Sequence, residues 1–271
     1  MRGTSNDDPY DGRHLAARDP EYLRDFMPAL EFAFRRYFRV QASGAENLPR
    51  RGPALLIGNH SGGLVAPDAA MTLCLWIRER GLETPAYGLI APAVFSLPGV
   101  RRHVSKCGGL QAEPRMAFQA LESGGVVLLY PGGAEDAFRP WSKRNEIELG
   151  GNHAFVKLAL RYRVPIVPVV TAGAHNTLII LDDGKEIAQA LGLDKKGIER
   201  LPVSLALPLG LTVGAGFHIP FPARISIAVG EPITFSGLGP ADAKDRAAVA
   251  HCFEMILQRM RSLLHGLLAS A

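Results

Sequence analysis

Pro53-Ala54-Leu55-Leu56-Ile57-Gly58-Asn59-His60-Ser61-Gly62-Gly63, followed by Leu64-Val65-Ala66-Pro67-Asp68, is the stretch on which the fold turns. Four apolar residues bounded by proline and glycine read as a short buried strand. Pro67 suits the first turn of a helix, and the helical pattern continues to Arg80. Between strand and helix lies a glycine-flanked loop carrying a polar His-Ser pair. Loops at the C-terminal ends of strands are where α/β sheets build their sites. A histidine whose ring is oriented by a carboxylate is the usual design of a general base, so His60 with Asp68 is a candidate pair. A histidine that merely caps a turn, with Asp68 serving only the helix N-terminus, satisfies the same spacing.

The same alternation continues outward. Strands are expected at 86–90, 126–130, 165–170 and 224–229, with helices at 114–121 and 152–163 and a long C-terminal helix at about 241–268. A helix at 20–39, kinked or restarted at Pro28, places Leu23, Phe26, Met27, Leu30, Phe34, Tyr37 and Phe38 on one face. It reads either as a cover for the core, with Arg35, Arg36 and Arg39 favourably placed at its C-terminal end, or as an interfacial helix with arginines on headgroups. Strands alternating with helices predict a single-domain α/β fold, with a mostly parallel central sheet flanked by helices and an N-terminal amphipathic helix. Residues 1–19 read as a flexible arm, and 20–271 as the domain, with its core at about 48–233.

The 271 residues suffice for one large domain, and a net charge of +4 suits anionic surfaces or phosphorylated substrates without requiring them. Cys74, Cys107 and Cys252 are scattered, so reduced thiols in a cytosolic protein are expected. The polar N-terminus lacks the apolar centre of a signal peptide. Residues 201–223, LPVSLALPLGLTVGAGFHIPFPA, carry no Asp, Glu, Lys or Arg. Four prolines and three glycines would break a spanning helix, so apolar loops and short strands are expected there, buried or touching lipid.

A second loop, Tyr130-Pro131-Gly132-Gly133-Ala134-Glu135-Asp136, follows the strand at 126–130 and should open on the same sheet edge. Its glycines can present N–H groups to an anion or serve a plain turn. Arg139, Lys143 and Arg144 follow as candidate phosphate contacts or ordinary surface charge. No phosphate-loop, dinucleotide or metal-ligand spacing occurs, so no cofactor and no metal are expected. Basic residues form no extended stripe, and no nucleic-acid partner is expected.

Taken in order, the Asn59-His60 segment after a strand, Asp68, Tyr130 to Gly133, His153 to Ala159, Val164 to Val169 and Val229-Gly230-Glu231-Pro232-Ile233 resemble the glycerolipid and lysophospholipid acyltransferase superfamily. The resemblance covers roughly 48–233. The Gly-Gly form of the second loop is similar to the monoacylglycerol and diacylglycerol acyltransferase-like branch. The resemblance implies an acyl-CoA-dependent enzyme acting on a glycerolipid or lysophospholipid hydroxyl, peripheral on the cytoplasmic face of a membrane. His60 and Asp68 would be its catalytic pair. Gly62, Gly63, Pro131, Gly132, Gly133 and Glu135 would form the oxyanion and acceptor site. Seven residues separate His60 from Asp68, against four in the common family pattern, so 62–66 must bulge for the carboxylate to reach the ring. Gly132 stands where many members carry glutamate. Two rivals compete: a serine hydrolase using Ser61, with His251 or His265 as its late histidine, and a non-catalytic lipid-binding protein of the same fold.

Overall fold

The apolar run after Pro53 forms a strand that sits near the middle of a seven-stranded sheet. The structure is a computed structural model and describes residues 8–196 and 199–270. Its strands are β1 (Gln41–Ser43), β2 (Ala54–Gly58), β3 (Ala86–Ile90), β4 (Gly109–Gln111), β5 (Val126–Leu129), β6 (Ile166–Ala172), β7 (Ile179–Asp182), β8 (Val203–Ala206), β9 (Gly210–Val213) and β10 (Ser226–Val229). The α-helices are α1 (Pro20–Phe32), α2 (Pro67–Arg80), α3 (Pro98–Lys106), α4 (Pro114–Glu122), α5 (Gly133–Ala137), α6 (Ala154–Tyr162), α7 (Lys185–Ala190) and α8 (Arg246–Ala269).

The main sheet runs β1-β10-β6-β2-β5-β3-β4. Strands β6, β2, β5, β3 and β4 are mutually parallel; β10 is antiparallel to β6, and β1 follows β10. The continuous apolar run of β2 divides between two faces with the two-residue period of a strand. Leu55 and Ile57 join one core with α4, α6 and α8, whereas Ala54 and Leu56 join another with α1 and α2. Helices cover both faces, which is why the strands show no polar alternation.

Asp19 caps α1 by accepting the Tyr22 N–H. Pro28 lies inside α1, and the chain continues as a π-helical turn, Ala33–Tyr37. Leu23, Leu30, Phe34 and Phe38 are buried in the core, so the covering role accounts for this aromatic face. Residues 8–19 depart from the free arm expected there. Gly12 O accepts from Gln111 N, Arg13 bonds Gln111 and Glu113, and Leu15 packs on the core, because the β4 edge offers unpaired backbone groups. Residues 1–7 of that arm lie outside the described residues. The uncharged stretch forms short strands, as expected: β8 and β9 join β7 in a separate antiparallel sheet. Among the described residues, no helix is long and apolar enough to cross a membrane.

Candidate active site

Strands β2 and β5 are neighbours in parallel register, Ile57 beside Leu129, so the loops that leave their C-terminal ends emerge side by side. The first loop is anchored by Asn59. Its side-chain amide donates to Thr171 O at 2.9 Å and accepts from Thr171 N at 2.8 Å, continuing the β2–β6 ladder beyond the last strand residue. The chain then bulges. Gly62 adopts φ +83°, where a Cβ would stand 2.6 Å from Pro67 Cδ. A 3-10 turn spans Gly63–Val65, and Ala66 takes φ +48° before α2 begins.

This bulge absorbs the seven intervening residues and turns Asp68 back onto the loop. His60 Nδ1 lies 2.8 Å from Asp68 Oδ2. The same oxygen accepts the Ser61 N–H at 2.8 Å, and Oδ1 accepts the Ala69 N–H at 2.8 Å. The Asp68 side chain is fully buried, and that of His60 is 19 % exposed. A carboxylate can only accept, so Nδ1 carries the proton and Nε2 is the free basic nitrogen.

The second loop supplies the ring's other supports. Tyr130 stacks on His60, with centroids 4.6 Å apart and planes 21° from parallel. Asp136 accepts the His60 backbone N–H and is paired with Arg139, both buried. Sequence reasoning selected its neighbour, Glu135. That side chain instead bonds Arg200 at 2.7 Å and is 51 % exposed, because adjacent positions on the short α5 point in different directions. The carboxylate that reaches the loop is Asp136. Gly132 is packed too closely against Glu148 O and Asp136 Cβ to hold a side chain, which explains why no glutamate stands there. Pro131 is half-buried in the same turn. Gly133 donates its N–H to Tyr130 O at 3.1 Å, so that donor is committed to the turn. Gly62 and Gly63 follow His60 in the first loop, both at positive φ.

The phosphate candidates separate. Arg139 is 3 % exposed and gives Nη1 to Asp136 and Nε to Lys143 O, while its Nη2 is buried without a hydrogen-bond partner among the described residues. Lys143 stays exposed, and Arg144 stacks over the Trp141 ring at 3.6 Å. Ser61 is 1 % exposed and, among the described residues, no imidazole bonds its hydroxyl. His251 and His265 lie on the exposed side of α8. A serine nucleophile therefore lacks both access and a base.

Burial alone would push the His60 pKa down. The charge and hydrogen bond of Asp68, with a smaller contribution from Asp136, outweigh it and leave the pKa raised. Burial drives Asp136 up to about 6 against the opposing pull of Arg139 and His60. His175 is held neutral, its pKa pushed down to about 3 by burial, then by the charges of Arg139 and His60. The result is one imidazole nitrogen oriented from behind, flanked by an aromatic plate and open on one side. It can accept a proton from a bound hydroxyl.

Segments flanking the small sheet and the end of α5 close the other side of the loop. A Cβ on Gly63 would stand 2.7 Å from Leu178 Cδ2, 3.3 Å from Phe138 Cε1 and 3.5 Å from His218 Cε1. Among the described residues, no cluster of side chains could hold a metal.

The acyltransferase family model matches residues 39–172, which contain both loops. An uncharacterised protein of Mycobacterium tuberculosis is 32 % identical over 256 residues, covering 93 % of this chain and 68 % of that one. Human diacylglycerol O-acyltransferase 2 is 25 % identical over 223 residues, covering 76 % of this chain and 55 % of its own length. The crystal structure of the 1-acyl-sn-glycerophosphate acyltransferase of Thermotoga maritima superposes with a TM-score of 0.50 at 18 % identity, over 89 % of this chain and 82 % of that one, and shares the fold. The family model and the sequence relatives together show that the chain belongs to the glycerolipid acyltransferase superfamily, in the branch that includes the diacylglycerol acyltransferase-like proteins.

Proposed function

We propose that the chain transfers a fatty acyl group from acyl-CoA to the hydroxyl of a glycerolipid or lysophospholipid, acting peripherally at the cytoplasmic face of a membrane. His60 Nε2 takes the acceptor proton as its oxygen attacks the thioester carbonyl. Asp68 holds Nδ1–H and stabilises the imidazolium that forms. The Gly62 and Gly63 N–H groups face the tetrahedral oxyanion. Collapse expels the coenzyme A thiolate, which takes up the proton held by His60, so no acyl-enzyme is required. Among candidate acceptors, a neutral glyceride suits the site better than a phosphorylated one, since Arg139 is neutralised by Asp136. The observation that carries the reading is the 2.8 Å contact between a partly exposed imidazole and a fully buried carboxylate.

The test is thiol release from acyl-CoA across a panel of mono- and diacylglycerols and lysophospholipids, with acyl carrier protein thioester as a second donor. His60→Ala should lower acceptor-dependent release by about 10²–10⁴-fold. Ser61→Ala should retain substantial activity. A panel in which no acceptor raises release above the His60→Ala background sinks the proposal; a trapped acyl-Ser61 overturns the assignment of roles.

A further inference from the structure

The β7-β8-β9 sheet is inside out. Register pairs Leu205 with Leu211 and Val203 with Val213 across one face, and Ser204 with Thr212 across the other. Hydrogen-bonding residues ought to face water, yet Ser204 is 3 % exposed, beside buried Ile180 and Ala206. Thr212 Oγ1 donates to Ser204 O on that inner side. The outer face instead presents Leu211 at 64 % and Val213 at 62 %. Leu209, at the hairpin tip, is 69 % exposed. A bridge from Leu207 to Ile219 draws the next segment alongside, adding Phe217 at 72 % and Ile219 at 55 %. Scattered exposed leucines need no explanation, whereas a contiguous apolar face on one element marks an interaction surface.

Three observations select a lipid surface as the occupant. Residues 201–223 contain no Asp, Glu, Lys or Arg, so the face has none of the charged groups that would set register with a protein partner. One edge is cationic: Tyr37 Oη donates to Pro220 O at 2.6 Å, joining the segment to the end of the first helical stretch. Arg36, Arg39 and Arg224 are exposed there, with no ion pair among the described residues. An apolar face edged by arginines complements anionic headgroups over hydrocarbon. Finally, His218, within the 217–219 segment, packs beside the loop that carries His60, its Cε1 3.5 Å from where a Cβ on Gly63 would stand, so the segment adjoins the site.

We infer that the β8–β9 hairpin and the 217–219 segment form the membrane-docking surface, inserting into the headgroup boundary of an anionic phospholipid bilayer. The inference rests on, and makes specific, the membrane-surface part of the function proposed above. Docking there would set the opening beside His60 at the depth where a glycerolipid hydroxyl lies, with the acyl chains left in the bilayer.

The experiment is co-sedimentation of the full chain with phosphatidylglycerol–phosphatidylcholine vesicles and with pure phosphatidylcholine vesicles. The wild type should pellet with the anionic vesicles and be released in part by salt. Leu211→Asp and Phe217→Asp should each weaken partitioning about tenfold or more, while leaving turnover in detergent micelles and the melting temperature near wild type. Phe217→Trp, which adds no charge, should show fluorescence quenched by brominated lipid. Unchanged sedimentation of both aspartate variants, no added quenching in the Phe217→Trp variant, or a wild type that stays in the supernatant overturns the inference. So does a dimer that these substitutions dissociate without any vesicle binding, which would make the face an interface between copies. Sedimentation reads docking whether or not any acceptor is acylated, so the two proposals fail separately.

Discussion

In the proposed reaction His60 has two tasks that conflict in free imidazole: it must be neutral to accept a proton, and it must tolerate the charge once it has one. Burial serves the first, and Asp68 the second. Because the folded pKa is raised, kcat/KM should climb with pH through a value above the ordinary 6.5 and level off beyond it. The same shift makes protonated His60 stabilising below pH 6.5, a contribution lost as pH rises through the folded pKa. Asp68→Asn removes the cause of the rise and leaves the burial penalty. The acidic limb should move to lower pH while the plateau falls about 10²–10⁴-fold, measured as a pH profile of initial rates. A limb that stays in place would mean that Asp68 does not set the His60 pKa. Asp136 works one step further back. Its Arg139 partner is buried, so Asp136→Asn leaves a guanidinium uncompensated and should cost about 3–5 kcal/mol in urea unfolding. The double variant Asp136→Asn/Arg139→Met should regain much of that loss. Equal destabilisation of single and double variants would show that the pair contributes little beyond packing. With its pKa raised to about 6, Asp136 favours the fold when protonated, and this contribution fades as pH climbs from about 3.8 through 6.

The element that makes the pair is the bulge between β2 and α2, and it depends on Gly62 more than on the side chain of His60 or Asp68. An alanine there must hold φ near +83° and meets Pro67. Gly62→Ala should cost about 1–2 kcal/mol, read by thermal melting, and should lower kcat by far more than that stability loss implies, because displacing the turn withdraws Asp68 from the ring. Unchanged kcat would show that the loop can re-form by another path. This element also shows what a sequence reveals. The β2 strand and α2 were legible because proline and glycine bound an apolar run and then a helical pattern. The bulge was legible as a requirement, since seven residues had to be absorbed. Strands of three residues, β1 and β4, carry too few positions for a period to register. Helix α3 was missed because Pro98, Gly99 and the basic residues Arg101, Arg102, His103 and Lys106 obscure its apolar positions. At the site, His60 and Asp68 could be named from order and spacing, but Glu135 and Asp136 are adjacent carboxylates, and only the phase of α5 decides which turns inward. The Asn59 clamp on Thr171 and the Tyr130 plate depend on strand neighbours that are distant in sequence.

At the scale of the whole molecule, one sheet separates two cores, and the active loops leave strands that both cores hold in register. Leu56 points into the α1–α2 core and Met260 into the α8 core, both essentially inaccessible to water. If the sheet couples the layers, neither core can melt alone, because each strand contributes alternate residues to both. Leu56→Ala and Met260→Ala should therefore each lower stability by about 2–5 kcal/mol. Their effects should add to within about 0.5 kcal/mol, since the sites lie on opposite faces without shared partners. Urea unfolding followed by far-ultraviolet circular dichroism and by tryptophan fluorescence should give one transition with an unchanged slope in both variants. Trp76 is buried in the α1–α2 core, so in a Trp141→Phe background the emission reports that layer. A fluorescence midpoint that moves with Leu56→Ala while the circular dichroism midpoint holds would mean that the layers unfold separately. The His60–Asp68 pair would then owe its geometry to α2 and its own core rather than to the domain as a cooperative unit.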